Sequence, residues 1–542
     1  MADKNILLIE PGYKNKYPPL GLMKLAAYHG PHGKRDNVRF IKGEDDKSVF
    51  GTAWDRIYIT TLFSFEFARI RQTIDRALQI ANGHADKIFV GGIAASLMPD
   101  EFERRPEWHG IRFIKGLLGE APAKSLRLDS FSEELYSDDL ESTPIEDLIP
   151  DYDILKQIKY PYPVSDAYFA YASRGCIRKC SFCGVPKLEG DQRDMSSISV
   201  LVRNIIARHG EKKDLILMDN NVVASSRFHE IMAEIRDLGF LPDAKITRGR
   251  VPVQRRVDFN QGVDARILCK DPAFLRELSS VCLRPLRIAF DHLGLKGPYE
   301  KAVRYAKDAG LLSMSNYMLY NFHDSPSDLF ERMRLNVTLN EELGLQIWSF
   351  PMRFQPTNRP DRGHIGEKWT RYELRSIQTI LQATHGVVSG APDFFKRAFG
   401  DTTADFNRLL WRPHHFIFNR NWYEHWEGKP EFEDYEARMS KLTIIEFSEL
   451  RDLLKDVDPS DVKTKIPDAS SKSVRRILEH YLPLPKDVEA MIWKRQKELE
   501  LAQHPSTIVP DEERVEDAGL QADDDAPTPR PAKKRKREAV LA

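Results

Sequence analysis

The sequence predicts an α/β protein: an N-terminal parallel sheet of Rossmann or flavodoxin type, then a partial (β/α)6 barrel, then a mainly helical C-terminal region. Three observations predict it. Short apolar runs alternate with helix-like spacing over the first 125 residues. A second alternation begins at AYFAYASRG (167–175) and makes six strand–helix steps. From about residue 366 the strand-like runs stop, and an aromatic-rich helical pattern continues to 502.

In the first part, NILLIEP (5–11), VRFIKG (38–43), DRIYITTLFS (55–64), KIFVGGIAAS (87–96) and IRFIKGLLGE (111–120) read as strands. GLMKLAAYHG (21–30) and FEFARIRQTIDRALQIA (65–81) read as helices. The loops at the carboxyl ends of these strands carry Pro11-Gly12, Thr60-Thr61 and Gly91-Gly92. Those glycines serve either a ligand-binding edge or only tight strand-to-helix turns. Residues 126–165, acidic and then rich in proline and tyrosine, form a connector. Further strands are expected at 214–220, 257–265, 286–292, 315–322 and 345–354, with helices between them. Six steps against the eight of a full barrel leave it open, with a site expected at the carboxyl ends of its strands. The expected boundaries are 1–125, 126–165, 166–360 and 361–502, followed by a charged, disordered tail at 503–542.

Charge and composition exclude several classes. Lysine plus arginine equals aspartate plus glutamate at 81 each, which gives no global pull toward nucleic acid or a membrane surface. Five cysteines in 542 residues do not make a disulfide framework. The charged N-terminus is not a signal peptide, and no stretch approaches the roughly 18 apolar residues of a spanning helix. A soluble, cytoplasmic protein is expected.

Residues 173–190, SRGCIRKCSFCGVPKLEG, hold three of the five cysteines: Cys176, Cys180 and Cys183. Thiolates hold iron–sulfur clusters, usually four at a time, so three ligands leave one metal position open. The plainer readings are a zinc ion completed by a distant histidine, or unbound thiols. Zinc motifs usually come as paired C-x-x-C units, and there is no second pair. The segment Cys176-Ile177-Arg178-Lys179-Cys180-Ser181-Phe182-Cys183 resembles the C-x-x-x-C-x-aromatic-C signature of the radical S-adenosylmethionine enzymes. That resemblance implies a 4Fe-4S cluster on the three cysteines. S-adenosylmethionine would chelate the fourth iron through its amino and carboxylate groups, with Phe182 near the adenine and Gly184 in the same loop. It also implies reductive cleavage to a 5′-deoxyadenosyl radical that abstracts hydrogen from a substrate, with a flavodoxin or ferredoxin as electron donor.

The resemblance covers roughly residues 1–355 and extends to a subgroup with an N-terminal cobalamin-binding-type domain. PPLGLMKLAAYHG, VGGIAASLMPDEF and AYFAYASRGC carry it. Cobalamin, if bound, makes methyl transfer to an unactivated carbon or phosphorus the leading reaction; without it the domain serves docking or substrate binding. The chain departs from the family at the first loop: Glu10-Pro11-Gly12-Tyr13-Lys14 stands in place of Asp-x-His-x-x-Gly, and no Asp-x-His occurs anywhere.

Further site residues follow from the expected strand ends. Asp219, Asn220 and Asn221 stand where the family binds the methionine amine, and their side-chain oxygens accept from an ammonium; otherwise they are turn residues. Asp264 and Arg266 lie after the third barrel strand, where Arg266 pairs either with the methionine carboxylate or with Asp264 itself. Asp291 and His292 end the fourth strand, and Asn316 and Asn321 belong to the fifth. These are candidates for ribose contacts or acid–base work, with a structural histidine as the alternative. Cys269 and Cys282 read as buried thiols, with a second cluster ligand or a radical hydrogen donor as the alternative.

Other readings remain. A cobalamin-free radical enzyme is the alternative within the class. A methylthiolating transferase is disfavoured, because this chain lacks the further upstream cysteines and the terminal small β-barrel of that group. An iron–sulfur or zinc nucleic-acid-binding protein would rest on the basic run Lys533-Lys534-Arg535-Lys536-Arg537. The acidic residues Asp523, Asp524 and Asp525 before it favour a solvated tail. The stretch holding Trp411, His414, His415, Trp422 and His425 reads as a helical core rather than a lid.

Overall fold

The computed structural model describes residues 4–43, 46–118, 145–384 and 386–503. The basic run at 533–537 and the expected tail from 504 onward lie outside the described residues, as does the connector up to residue 144. The chain divides into two compact units, Met1–Lys368 with Val388–Arg397, and Trp369–Val387 with Ala398–Ala542.

The first unit begins with β1 (Asn5–Glu10), β2 (Asn37–Lys42), β3 (Arg56–Thr61), β4 (Ile88–Gly92) and β5 (Arg112–Phe113). All pair in parallel, in the order β2-β1-β3-β4-β5. This is the flavodoxin-like order, whose binding crevice lies outside the carboxyl ends of β1 and β3, where the chain reverses direction across the sheet. The strands are continuous apolar runs because both faces are covered; in NILLIE every residue after Asn5 is buried. The helix Phe67–Ile80 buries Phe67, Ile70, Ile74 and Ala77, one helical stripe, against this sheet. Gly92 ends β4 at φ 103°, and a Cβ there would lie 2.5 Å from the Thr61 carbonyl oxygen, so only glycine lets β3 and β4 finish side by side.

The next strand, β6 (Ala167–Ala170), is followed by a two-stranded hairpin of β7 (Ser173–Arg174) and β8 (Arg193–Asp194). Then come β9 (Asp214–Leu217), a second hairpin of β10 (Lys245–Arg248) and β11 (Val251–Gln254), β12 (Val257–Phe259), β13 (Leu286–Arg287), β14 (Ser313–Tyr320) and β15 (Gln346–Arg353). Strands β6, β9 and β12 form one parallel sheet in chain order, and β13, β14 and β15 form another. Parallel bridges Val257–Leu283 and Val263–Ile288 join the two. The fourth strand is shorter than its apolar run, because Ile288 pairs only as an isolated bridge. The β10–β11 hairpin is an addition that the apolar pattern of the chain does not announce.

Helices lie between the successive parallel strands β6, β9, β12, β13, β14 and β15, and the best marked is Pro326–Leu343. Ser325 and Asp328 form a capping box, proline occupies the first turn, and Gly344 closes the end in the left-handed region. Between the strands, Arg287 donates two hydrogen bonds of 2.8 Å to Asp258 and one of 3.1 Å to Ser315 Oγ. A buried ion pair of this kind survives only when its geometry satisfies both partners.

The second unit is helical. Its core gathers Tyr372, Trp411, Phe416, Tyr435, Leu450, Leu454 and Tyr481, all buried. Tyr372 stacks on Trp411 at 5.3 Å and 5°. Among the described residues, no helix is long and apolar enough to cross a membrane.

Candidate functional site

The loop after β6 carries the cysteines, and its ends are tied. Strands β7 and β8 pair, and the Cys176 N–H donates to the Gly190 carbonyl at 3.4 Å. Gly175 sits at φ 74°, and a Cβ there would meet the Asp191 carbonyl oxygen at 2.2 Å, so the crossing requires glycine. The three thiols are half-buried and free. The Arg178 N–H points at Cys176 Sγ (3.3 Å) and the Val185 N–H at Cys183 Sγ (3.5 Å). Such donors favour thiolate sulfur.

Carboxylates from later elements hold this loop. Asp219, at the end of β9, is buried and accepts from the Ala172 N–H at 3.0 Å and the Ser173 hydroxyl at 2.7 Å. Burial pushes its carboxyl up to about 6 against the pull of those donors. Both of its oxygens are therefore engaged within the protein. The Asn220 amide donates to Glu189 Oε2 at 2.8 Å. Asn221 is buried, and its Oδ1 has no partner among the described residues. Asp264 caps the helix Ala265–Leu268 and accepts from Arg266 Nε (2.7 Å) and from Arg178 Nε (2.7 Å). Of the two pairings open to Arg266, the one with Asp264 is made. Burial pushes the Asp264 carboxyl up, but the bonds from Arg266 and Arg178 outweigh it and hold the group below its ordinary value.

Asp291 follows β13, and its carboxyl accepts no hydrogen bond among the described residues. Burial pushes it up to about 6, against the attraction of Arg332 and Arg266. It acts electrostatically on both Cys180 and Cys183, whose thiols burial pushes up. His292 beside it is exposed, and the partial desolvation of its ring, with the charges of Arg266 and Arg332, lowers its pKa. Phe182 meets Phe322 edge-on at 5.7 Å, and Phe322 meets Phe354 at 4.6 Å, so an aromatic wall adjoins the cysteine loop. Gly184 packs close to the helix Ile93–Leu97, and a Cβ on it would lie 3.0 Å from a Leu97 methyl.

Two sequence candidates belong elsewhere. Asn316 points to the helix side of β14: its amide donates to the Tyr299 hydroxyl at 2.8 Å, whereas Ser315 and Tyr317 bond Arg287 and Asn260 on the other side. Alternation along a strand imposes this division. Asn321, at φ 67°, bonds Phe354, His364 and Gly366, and so latches loops together. Sequence reasoning missed Glu189, which binds Arg174 (3.0 Å), the Gly175 N–H (2.8 Å) and Asn220. It also missed Glu146, the other partner of Arg174. The available signal was Arg174 itself, since a buried guanidinium requires acids.

Around the loop after β1, Lys42 Nζ donates to Glu10 Oε2 and to Asn15 Oδ1, both at 2.7 Å, and Tyr162 also bonds Glu10. Tyr13 is buried beside Phe63. The β1 loop thus presents no free ligating side chain from Glu10.

No family model matches the chain, and no curated protein matches it. Among solved structures it is similar to a radical S-adenosylmethionine methyltransferase, TsrM from Kitasatospora setae, with cobalamin and a [4Fe-4S] cluster bound. That match has 16% identity and a TM-score of 0.45, over 66% of this chain and 77% of that one. The apo cobalamin-dependent S-adenosylmethionine radical enzyme OxsB matches at 13% identity and TM-score 0.46, over 94% and 82%. HydG, a maturase of the [FeFe]-hydrogenase, matches at 13% and TM-score 0.28, over 79% and 96%.

Proposed function

We propose that this chain is a radical S-adenosylmethionine enzyme in which β6, β9, β12, β13, β14 and β15 form a partial (β/α)6 barrel. Cys176, Cys180 and Cys183 would hold a 4Fe-4S cluster at the barrel's carboxyl end. The observation that carries this is the tied cysteine loop: three thiols follow the first of six parallel strands, and two of them receive backbone N–H groups. The donor set fits a cluster better than a single ion. Thiolates around one zinc stand about 3.8 Å apart, given Zn–S bonds of about 2.3 Å. These three sulfurs are not among the groups of ligand atoms that converge within 4.8 Å in the described residues.

When bound, the cluster supplies the electron that cleaves the sulfonium and frees a 5′-deoxyadenosyl radical to abstract hydrogen from the substrate. The chain's own residues do the rest. Asn221 Oδ1 offers an unused acceptor to the methionine ammonium, and Arg266 keeps further N–H donors for its carboxylate. Phe182 and its aromatic neighbours exclude water beside the loop. Asp291, unbonded and pushed toward neutrality, is the candidate for a ribose contact or a proton transfer. Asp219, Glu189 and Asp264 position the loop.

The flavodoxin-type strand order favours a second component, cobalamin at the carboxyl edge of β1 and β3, and with it methyl transfer. The rim there is poor in side chains at Gly12, Gly43, Gly91 and Gly92, which suits a broad cofactor. Glu10 and Tyr13 offer the cobalt no ligand. Hydroxocobalamin mixed with the protein and separated by gel filtration tests this; one bound equivalent supports methyl transfer, and none leaves the cobalamin-free enzyme.

The enzyme reading is tested anaerobically. Protein reconstituted with iron and sulfide receives S-adenosylmethionine and dithionite, the latter replacing a flavodoxin or ferredoxin, and 5′-deoxyadenosine is measured by chromatography. Product from the wild type and none from Cys180→Ala is expected. A protein that takes up zinc and never a cluster would sink the proposal.

A further inference from the structure

Away from the cysteine loop, Asp151, Asp153 and His209 each bring a ligand atom within 4.8 Å of the others. His209 ends the helix Ile198–His209 that follows β8. Its side chain is only 5% exposed, and its Nδ1 is buried with no hydrogen-bond partner among the described residues. A buried ring nitrogen left that way is costly, by about 1–3 kcal/mol. The nitrogen lies 3.5 Å from Asp153 Oδ2 without a hydrogen bond between them, close to the donor spacing of a bound ion. Ligands at about 2.0–2.1 Å from a tetrahedral ion stand about 3.3 Å apart.

The carboxylates have capacity left. Asp151 Oδ1 accepts from the Asp153 N–H at 2.8 Å, and Asp153 Oδ1 accepts from Lys156 Nζ at 2.6 Å. Each keeps a second oxygen with no hydrogen bond among the described residues. The Asp153 side chain is 59% exposed, so it has room to close onto an ion. Lys156, Lys212 and Arg208 are cations near the group; Lys212 donates to the His209 carbonyl at 3.2 Å and lies over the Tyr152 ring.

We propose that Asp151, Asp153 and His209 bind one divalent first-row cation. Two carboxylates and an imidazole suit manganese or zinc; calcium prefers oxygen alone, and softer ions prefer sulfur. The bound ion clips the connector to the first helix beyond the cysteine loop. The Asp151 N–H already holds the Met23 carbonyl at 2.9 Å, so the clip extends to the helix Leu20–His29. None of its ligands belongs to the cysteine loop, so this site stands or falls apart from the enzyme reading.

Manganese alone is the probe, because thiolates compete poorly for it. The full-length protein is titrated with Mn2+, and the free ion is followed by electron paramagnetic resonance. One ion per chain is expected for the wild type, with affinity lower by about tenfold or more in Asp153→Asn and in His209→Gln. The melting temperature should rise with Mn2+ in the wild type and not in these variants. No uptake at millimolar Mn2+, or equal uptake by wild type and Asp153→Asn, overturns the proposal. Asp153 is exposed, so its variant folds and decides the matter even if His209→Gln does not.

Discussion

The two compact units bury ionisable groups in opposite ways. In the first, Asp291 and His209 aside, the buried charges described above meet partners: Asp219 takes loop donors, Arg287 grips Asp258, and Arg332 pairs with Asp324 at 2.8 Å. In the second, imidazoles lie among rings. His414 stacks on Tyr372 at 4.5 Å with Nε2 3.2 Å from Ser376 Oγ, and His415 Nε2 is buried without a partner among the described residues. Burial lowers these histidines to about 3 and about 4. Polar burial in the first unit ties loops and strands to one another. Aromatic burial in the second makes a packed core, and Trp411, Trp422 and Tyr423 belong to it.

The sharpest break falls on the first unit. Cys180→Ala should abolish cluster loading and deoxyadenosine formation entirely, as read by iron content and chromatography, with the thermal transition of the apoprotein little changed. Next, Glu189→Ala leaves the Gly175 N–H and Asn220 unmatched and half-strips Arg174 of its acids. A loss of about 3 kcal/mol is expected, together with lower iron content, and Glu189→Gln should recover part of both.

The second unit should answer to acid instead. His414 and His415 stay neutral in the fold down to about pH 4, while in the unfolded chain they bind protons below about 6.5. The unfolded state therefore holds more protons, and stability rises with pH from about 4 to about 6.5, by at most about 1.4 kcal/mol per pH unit for each histidine. Denaturation series across that window, with His415→Gln as comparison, should show a shallower slope in the variant. For the raised Asp219 the sign reverses: the fold retains a proton that the unfolded chain gives up, so this group's contribution falls as pH rises from about 4 to about 6. A variant-to-wild-type difference with the same sign in both units would erase the contrast. The smallest effect is expected from Gly184→Ala, whose new methyl would press on Leu97. About 1 kcal/mol of destabilisation is expected, relieved by adding Leu97→Ala.

Some of this was legible along the chain because it is written in neighbours. The cysteine spacing occupies eight residues, and the strands of both halves of the first unit are apolar runs bounded by turn residues. Those features need no knowledge of what packs where, so the sequence by itself determined the α/β alternation and the composition and cysteine spacing of the tied loop. Tertiary structure alone decided which polar groups meet. Arg178 finds Asp264 86 positions away, and Asn220 finds Glu189 31 away. Strand alternation turned Asn316 toward the helices, and His209 came to rest beside Asp151 and Asp153. A lone acid or histidine has no period and no spacing to announce its partner; only the packing of distant elements brings the two charges together.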